Sequence, residues 1–352
     1  MLFKNKFYII ISLLICMFLT GCSNEEIKTA NIKAVGDNLI HSPIYNYGEK
    51  HNSDYSFIFE NIKSEIQKAD LAIINQETIF TTNPQNYSGK EIFASPINIG
   101  NAIIEAGFDV VTSANNHSFD IGPTGIFETL SFYEKHINKI LCIGLNKNEK
   151  EYNEITTIEK NGITFALLNY TYDTNISLNK NNYYFVDSFK DYEKVANDIK
   201  KAEKIADVTI VFPHWGTEFT TKTNKFQEQW TKIFLELGVD IVIGTHPHVI
   251  QPYELLKDNK GHQMLVYYSL GNFISCQNEK ERILGGMADI TIQKKGNKIE
   301  FLSYNMIPLI THQSNGIYTT YLLENYTEEL AQKHMLDITK EEIENMFLNN
   351  KE

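Results

Sequence analysis

At 352 residues, with 42% apolar and 12% aromatic side chains, the chain has material for a large buried core, and its composition excludes bulk disorder. A formal charge of −12 argues against a nucleic-acid-binding surface and against electrostatic docking on anionic lipid, while leaving room for a local cationic or metal-lined pocket. Arg282 is the only arginine, so bidentate clamps on phosphates or carboxylates are scarce.

In chain order, the N-terminus comes first. Lys4 and Lys6 precede an apolar run from Phe7 to Leu19, too short for a comfortable membrane span and the right length for a secretory h-region. The run ends in Leu19-Thr20-Gly21-Cys22, followed by polar Ser23-Asn24-Glu25-Glu26. This junction resembles the lipobox of bacterial lipoproteins, whose Cys becomes lipidated at the mature N-terminus. Residues 1–22 are therefore expected to be a lipoprotein signal peptide. The folded part is expected outside the cytoplasmic membrane of a bacterium, as a cell-membrane lipoprotein held by lipid chains on Cys22 rather than by a helix. With Cys16 in the signal segment, only Cys142 and Cys276 remain in the globular part. Two cysteines make no disulfide framework, so stability must come from the core.

Strand and helix patterns then alternate. "IKAVGDNLI" (32–40) reads as a strand, "SFIFENIKSEIQKA" (56–69) as a helix, and "DLAIINQE" (70–77) as a strand. "NIGNAIIEAGF" (98–108) reads as a helix ending at Gly107, "DVVTSANN" (109–116) as a strand, and "GPTGIFETLSFYEKH" (122–136) as a helix with Pro123 in its first turn. "KILCIGL" (139–145) closes this half. A hairpin is predicted around Asn161-Gly162. Beyond it come a helix (189–206), a strand (207–215), a helix (225–238) and a strand (239–248). Residues 251–313 read as hairpin strands, and those from about 326 to 352 as a charged helical extension. The alternation implies a largely parallel sheet covered by helices, in one α/β domain over about 28–320.

Nearly every predicted strand ends in coordinating side chains. The first ends in Gly36-Asp37 with His41 beyond, the second in Asn75-Gln76-Glu77, and the third in Asn115-Asn116-His117 with Asp120. Later ones carry His214 with Glu218, and His246-Pro247-His248. In open α/β sheets, ligand sites form outside the carboxyl ends of the strands, so these ends converge if the strands are neighbours. Taken singly each is weak: a Gly-Asp after a strand is usually a turn, and a lone His is usually a hydrogen-bonded structural residue. His246 and His248 are stronger, because alternate residues of an extended segment share a side and both rings can then face one ion. Imidazoles, carboxylates and an amide oxygen suit Zn, Mn or Fe, and the absence of nearby thiolates argues against a closed structural zinc. Two such ions about 3.5–4 Å apart, bridged by a carboxylate and a hydroxide, form a hydrolytic clamp.

"GDNLIH", "INQE", "ANNHSFDIGPTG", "HWGTEF", "GTHPHVIQPYE" and "YSLGNFI" together resemble the CapA family of poly-γ-glutamate capsule biosynthesis proteins, within the calcineurin-like metallophosphoesterase superfamily. The resemblance covers about residues 32–280. It implies a four-layer α/β/β/α sandwich of metallophosphoesterase type and one or two divalent ions. It implies Asp37 as a ligand of the first ion, Glu77 in place of the bridging Asp, and Asn116, His214 and His246 on the second ion. His248 would return to the first ion, and His117 would be the acid that protonates a leaving group. His41, Asn115, Glu218 and Asn272 are further candidates for metal or substrate contact, whereas Asp120, Gly122 and Gly125 equally suit a turn and a helix cap. Two departures bear on the first ion: Leu39 stands where the superfamily often has His, and Glu77 is one methylene longer than Asp.

The implied role is synthesis, release or export of an anionic, poly-γ-glutamate-like polymer, alongside membrane-bound capsule synthesis proteins and without nucleic acid. The chain's net charge and lone Arg restrict polymer contact to metal and Lys. Two other readings stay open: an envelope phosphoesterase using an ion-held hydroxide, and a non-catalytic capsule-assembly scaffold with a structural metal site. The N-terminal reading makes a direct prediction. Cys22→Ala should release the protein to the medium or leave an unprocessed precursor; unchanged mass and membrane fractionation of the variant would refute lipidation.

Overall fold

The computed structural model describes residues 26–350, so residues 1–22, where a signal peptide is expected, and Cys22 lie outside the described residues. Two large sheets organise the chain. The first has eight strands, with 317–322, 298–314, 284–295, 27–38, 71–76, 110–112 and 141–143 side by side and 272–274 added against 27–38. The second has six, in the order 253–257, 263–267, 241–243, 208–214, 163–171 and 156–160.

Strand alternation assigns the layers. Ile32, Ala34, Ile73 and Val110 of the first sheet share one buried cluster with Phe165, Leu167, Ile210, Phe212 and Ile243 of the second. Their chain neighbours Val35, Ile74 and Val111 face the other way, onto a cluster with Ile99, Ile103, Phe132 and Tyr133 from the helices Asn98–Ala106 and Gly122–Lys135. On the far side, Leu168, Val211 and Val242 pack on Val195, Ile199, Trp230 and Phe234 from the helices Tyr192–Ile205 and Lys225–Leu237. The result is helix, sheet, sheet, helix. Each fully buried Ile, Leu or Phe at these faces contributes about 1.5–3 kcal/mol of transfer free energy, so the period-2 pattern of the strands drives the layering.

The expected hairpin forms, with Asn161 and Gly162 both at positive φ (52° and 72°) as a two-residue turn requires. Three expectations are corrected. Residues 56–69 form a 3-10 turn at Ser56–Ile58 and one short α-helix at Lys63–Ile66. Ile58, Phe59, Ile62 and Ile66 are buried at helix-like spacing, but that spacing records which side faces inward and does not demand continuous i→i+4 bonding. The "YSLGNF" segment is no hairpin arm. The chain leaves the second sheet after Tyr267, turns at Gly271 (φ 64°), and enters the first sheet as Asn272–Ile274, parallel to 27–38. The crossing is tight: a Cβ on Gly36 would lie 1.9 Å from the Gly271 carbonyl oxygen, which instead accepts the Asp37 N–H at 3.0 Å. Third, the strand pattern misses a small sheet (79–81, 92–96, 88–90) and a helix, Ser42–Lys50, with Pro in its first turn.

The C-terminal residues form two helices, Glu328–Lys333 and Lys340–Asn350. Ala331, Ile338, Ile343 and Phe347 join the cluster that fills the space between the sheets. Two buried histidines dock this segment. His312 Nδ1 meets the Tyr326 hydroxyl at 2.8 Å; His334 Nδ1 accepts the Leu336 N–H, so its Nε2–H donates to the Thr311 carbonyl at 3.2 Å. Burial, then the neighbouring His334, pushes His312 down to about 4, and burial also lowers His334. Because the folded values lie below that of the unfolded chain, the unfolded chain binds protons more readily. The stability from this pair is complete above pH 6.5 and is lost as pH falls toward about 4. We expect the melting temperature to fall over that window, with a shallower slope for His312→Asn; equal slopes would show that these rings do not carry the effect.

Candidate metal centre

The carboxyl ends of the strands 27–38, 71–76 and 110–112 in one sheet, and 208–214 and 241–243 in the other, open onto a common site. It is held together as much by the loops that follow as by the strands. Asp37, Glu77, His214, His246 and His248 are all buried there. Ligand atoms of Asp37, Glu77 and His248 lie within 4.8 Å of one another, as do those of Glu77, His214 and His246, and those of Glu218, His246 and His248. Glu77 is common to the first two groups. His214 Nε2 and His248 Nε2 stand 3.5 and 3.6 Å from the same oxygen, Glu77 Oε1. Asn116 Oδ1 lies 2.8 Å from His214 Nε2, on the same side of the ring.

The supporting contacts set each ring. His214 Nδ1 pairs with Thr245 Oγ1 at 3.0 Å, leaving Nε2 for the centre. Asn272 Nδ2 donates to the carbonyls of His248 and Arg282 and to Gln277, so its Oδ1 must accept from His248 Nδ1, 3.0 Å away. Asp37 is oriented by Asn75 Nδ2 at 2.8 Å and approached by the His246 N–H at 3.3 Å. These partners are what metal-site histidines and carboxylates require.

The extended geometry expected for 246–248 is wrong. His246 has φ 100° and His248 φ 59°, conformations that non-glycine residues rarely adopt. The rings still converge, with centroids 6.0 Å apart, but through two left-handed residues in a tight turn after Thr245 rather than through a strand. Such strain, of order 1–3 kcal/mol per residue, is held only by surroundings that over-determine it, here the Asp37 and Asn272 contacts.

The electrostatics centre on Glu77. Its carboxylate is fully buried, and neither oxygen has a hydrogen-bond partner. Burial, then the nearby Asp37 and Glu218 carboxylates, pushes its proton affinity well above the usual range. Burial and the neighbouring rings hold His214 well below 6.5, and burial with His248 takes His246 down to about 3. The neutral His214 and His246 rings beside a carboxylate with no protein donor form a ligand set suited to a divalent cation. His246 Nδ1 is likewise buried and unpartnered. The donor set, N and O without thiolate, fits one or two divalent ions of the Zn, Mn or Fe kind.

The remaining candidates divide. His117 stands beside the groups: its Nδ1 meets Asp120 Oδ2 at 2.7 Å, and its ring packs edge-on against Phe93 at 4.5 Å. Asp120 therefore orients His117 and caps no helix, since the helix at 122 starts from Ile121 with no side-chain cap. Asn115 is spent on the backbone, donating to Gln76 and Ser113 and accepting the His117 N–H. His41 lies outside the metal groups found among the described residues. Its Nδ1 faces the Leu39 carbonyl and the Cys276 N–H, its ring packs on Phe93, and burial lowers it to about 4. Glu218 is exposed at the mouth. Sequence reasoning placed Asn75 at a strand end without assigning its role, and it missed Thr245 and Asn169, whose Oδ1 accepts the N–H groups of Ser113 and Ala114 and so fixes the loop that bears Asn116. It missed Asn175 too, whose N–H donates to the Asn116 carbonyl at 2.8 Å.

With this geometry in place, comparison with known proteins is decisive. The family described as "Bacterial capsule synthesis protein PGA_cap" matches residues 31–277. The chain belongs to this family. It is 28% identical over 271 residues to "Capsule biosynthesis protein CapA" of Bacillus anthracis, covering 72% of this chain and 62% of that protein. It is 27% identical over 296 residues to "PGA biosynthesis protein CapA" of Bacillus subtilis (strain 168), covering 83% and 73% respectively. The match thus spans under two thirds of the first relative's length. A solved structure of a 5'-nucleotidase precursor from Thermus thermophilus superposes over 92% of this chain and 58% of that one, with a TM-score of 0.50 and 11% identity. That likeness concerns the fold alone, the helix, sheet, sheet, helix sandwich described above.

Two measurements check the centre. Elemental analysis of purified protein should find divalent metal, and the double change His246→Ala with His248→Ala should abolish it; retained stoichiometry would place the metal elsewhere. Asn272→Ala should keep the site but weaken metal affinity about 10–100-fold in a chelator competition, the usual cost of losing a ring-orienting partner.

Proposed function

We propose that this PGA_cap-family chain is a metal-dependent hydrolase, held outside the cytoplasmic membrane by lipid on Cys22, that acts on an anionic poly-γ-glutamate-like polymer during its synthesis, release or export. The observation that carries the reading is Glu77, a fully buried carboxylate with both oxygens unpartnered among three histidines and Asp37. Leaving such a group uncompensated costs several kcal/mol, which a structural fold has no reason to bear. The names of the two CapA relatives support the polymer.

Asp37, Glu77, Asn116, His214, His246 and His248 would hold the ions, which when bound supply Lewis acidity and an acidified water. The chain's own contribution is orientation and a proton. In amide hydrolysis water adds to the carbonyl carbon, the C–N bond breaks, and the nitrogen leaves with a proton. His117 stands next to the ion groups but outside them. Its Nδ1 is engaged by Asp120, so Nε2 is the atom that gives the proton to the leaving nitrogen and recovers one from water. The Phe93 ring packed against it keeps it there.

His117→Asn should therefore lower turnover about 10²–10⁴-fold with metal content and melting temperature unchanged. The assay is the shortening of poly-γ-glutamate by metal-loaded protein, run beside an aryl phosphate ester. Phosphatase turnover with intact polymer would favour the phosphoesterase reading. Full capsule formation in cells carrying His117→Asn would leave a non-catalytic assembly role.

A further inference from the structure

Arg282, the chain's single arginine, stands at the mouth of the centre in an arrangement the fold takes trouble to make. Its guanidinium lies 3.5 Å over the ring centroid of Phe219. Phe219 is 42% exposed, sits at φ 63°, and stacks on the ring of His248 with centroids 6.0 Å apart. An exposed phenylalanine in a left-handed conformation costs both hydration and backbone strain, and the contact that uses its outer surface is the cation. A second link runs through the backbone. The Arg282 carbonyl accepts from Asn272 Nδ2 at 2.8 Å, and Asn272 Oδ1 holds His248. Side chain and main chain thus tie Arg282 to the same metal-ligand ring.

The guanidinium is not consumed by these ties. Glu279 takes Nη1 at 2.9 Å through a carboxylate that is 56% exposed, while the Arg282 side chain is half-buried at 23% exposure, and a pair open to solvent on its acidic side is weak and exchangeable. Among the described residues no other side chain bonds it. Arginine presents a planar fork of donors matched to a carboxylate or phosphate, which lysine does not.

We propose that Arg282 is a specificity-determining residue that grips an oxyanion of the substrate at the rim while a neighbouring group of the same molecule occupies the metal centre. The assignment rests on the reading of the centre as a site for an anionic polymer. It departs from the expectation that polymer contact runs through metal and Lys alone, and supplies a local contact against a net charge of −12 that is unfavourable over the chain as a whole.

The test is calorimetric titration of metal-loaded protein with tri-γ-glutamate and, separately, with inorganic phosphate. Arg282→Gln should weaken tri-γ-glutamate binding at least tenfold with metal stoichiometry unchanged, and Arg282→Lys should fall between the two. Arg282-dependent binding of phosphate alone would uphold the clamp and overturn the polymer. Equal binding of tri-γ-glutamate by wild type and Arg282→Gln would overturn the clamp and leave the polymer reading standing. Loss of metal from Arg282→Gln would overturn it too, making the residue a support for His248; no binding of either probe by wild type would overturn both.

Discussion

The structure is arranged around a carboxylate that cannot be satisfied by protein alone. Glu77 is taken out of water completely and given no N–H or O–H donor, while the strand ends around it supply a second carboxylate and three imidazoles. Two of those rings are turned by fixed partners, Thr245 for His214 and Asn272 for His248, so that their Nε2 atoms face Glu77. Buried charge of this kind is tolerable only with a counter-cation or a proton, and burial raises the proton affinity accordingly. The two sheets, the loops after them and the strained turn at 246–248 are means of holding this arrangement still.

Much of this was legible in the residues. The short continuous apolar runs in "DLAIINQE" and "VDIVIGTHPH", set between helix-spaced segments, are a direct consequence of strands covered on both faces. The polar residues at their ends are conspicuous because nothing about a buried strand calls for them. Other parts left no local signal. A left-handed His246 looks in sequence like any His, since its φ is imposed by contacts with Asp37, more than two hundred residues away. Asn272 reads as a turn residue because its partners, His248 and the Arg282 carbonyl, are brought together only when the chain crosses from one sheet to the other. The small sheet that carries Phe93 to His117 is built from strands of three to five residues, too short for a period to show.

Division of labour within the loop after strand 110–112 follows from the same geometry. Three consecutive polar residues point to three different tasks. Asn115 closes the loop on its own backbone, Asn116 turns its amide oxygen to the centre, and His117 is drawn aside by Asp120. A single residue's shift along this loop would exchange those tasks. Asn169 and Asn175 pin the loop from the second sheet and from the segment that follows it, which explains why so much amide hydrogen bonding is spent on so short a stretch.

The placing of Ile27–Asn38 has a consequence for how the molecule assembles. This strand is paired along its length with Leu284–Lys295, from Ile27 opposite Lys295 to Val35 opposite Met287, and its end is clamped by Gly271 and Asn272. It is made early and finds those neighbours only after most of the chain has been synthesised. Pairings of such sequence separation carry a large loop-closure cost and form slowly. The outer edge of this strand is therefore covered among the last events of folding, and a chain truncated before residue 284 would leave Ile27–Val35 as an open strand edge while Asn272 still flanks Asp37.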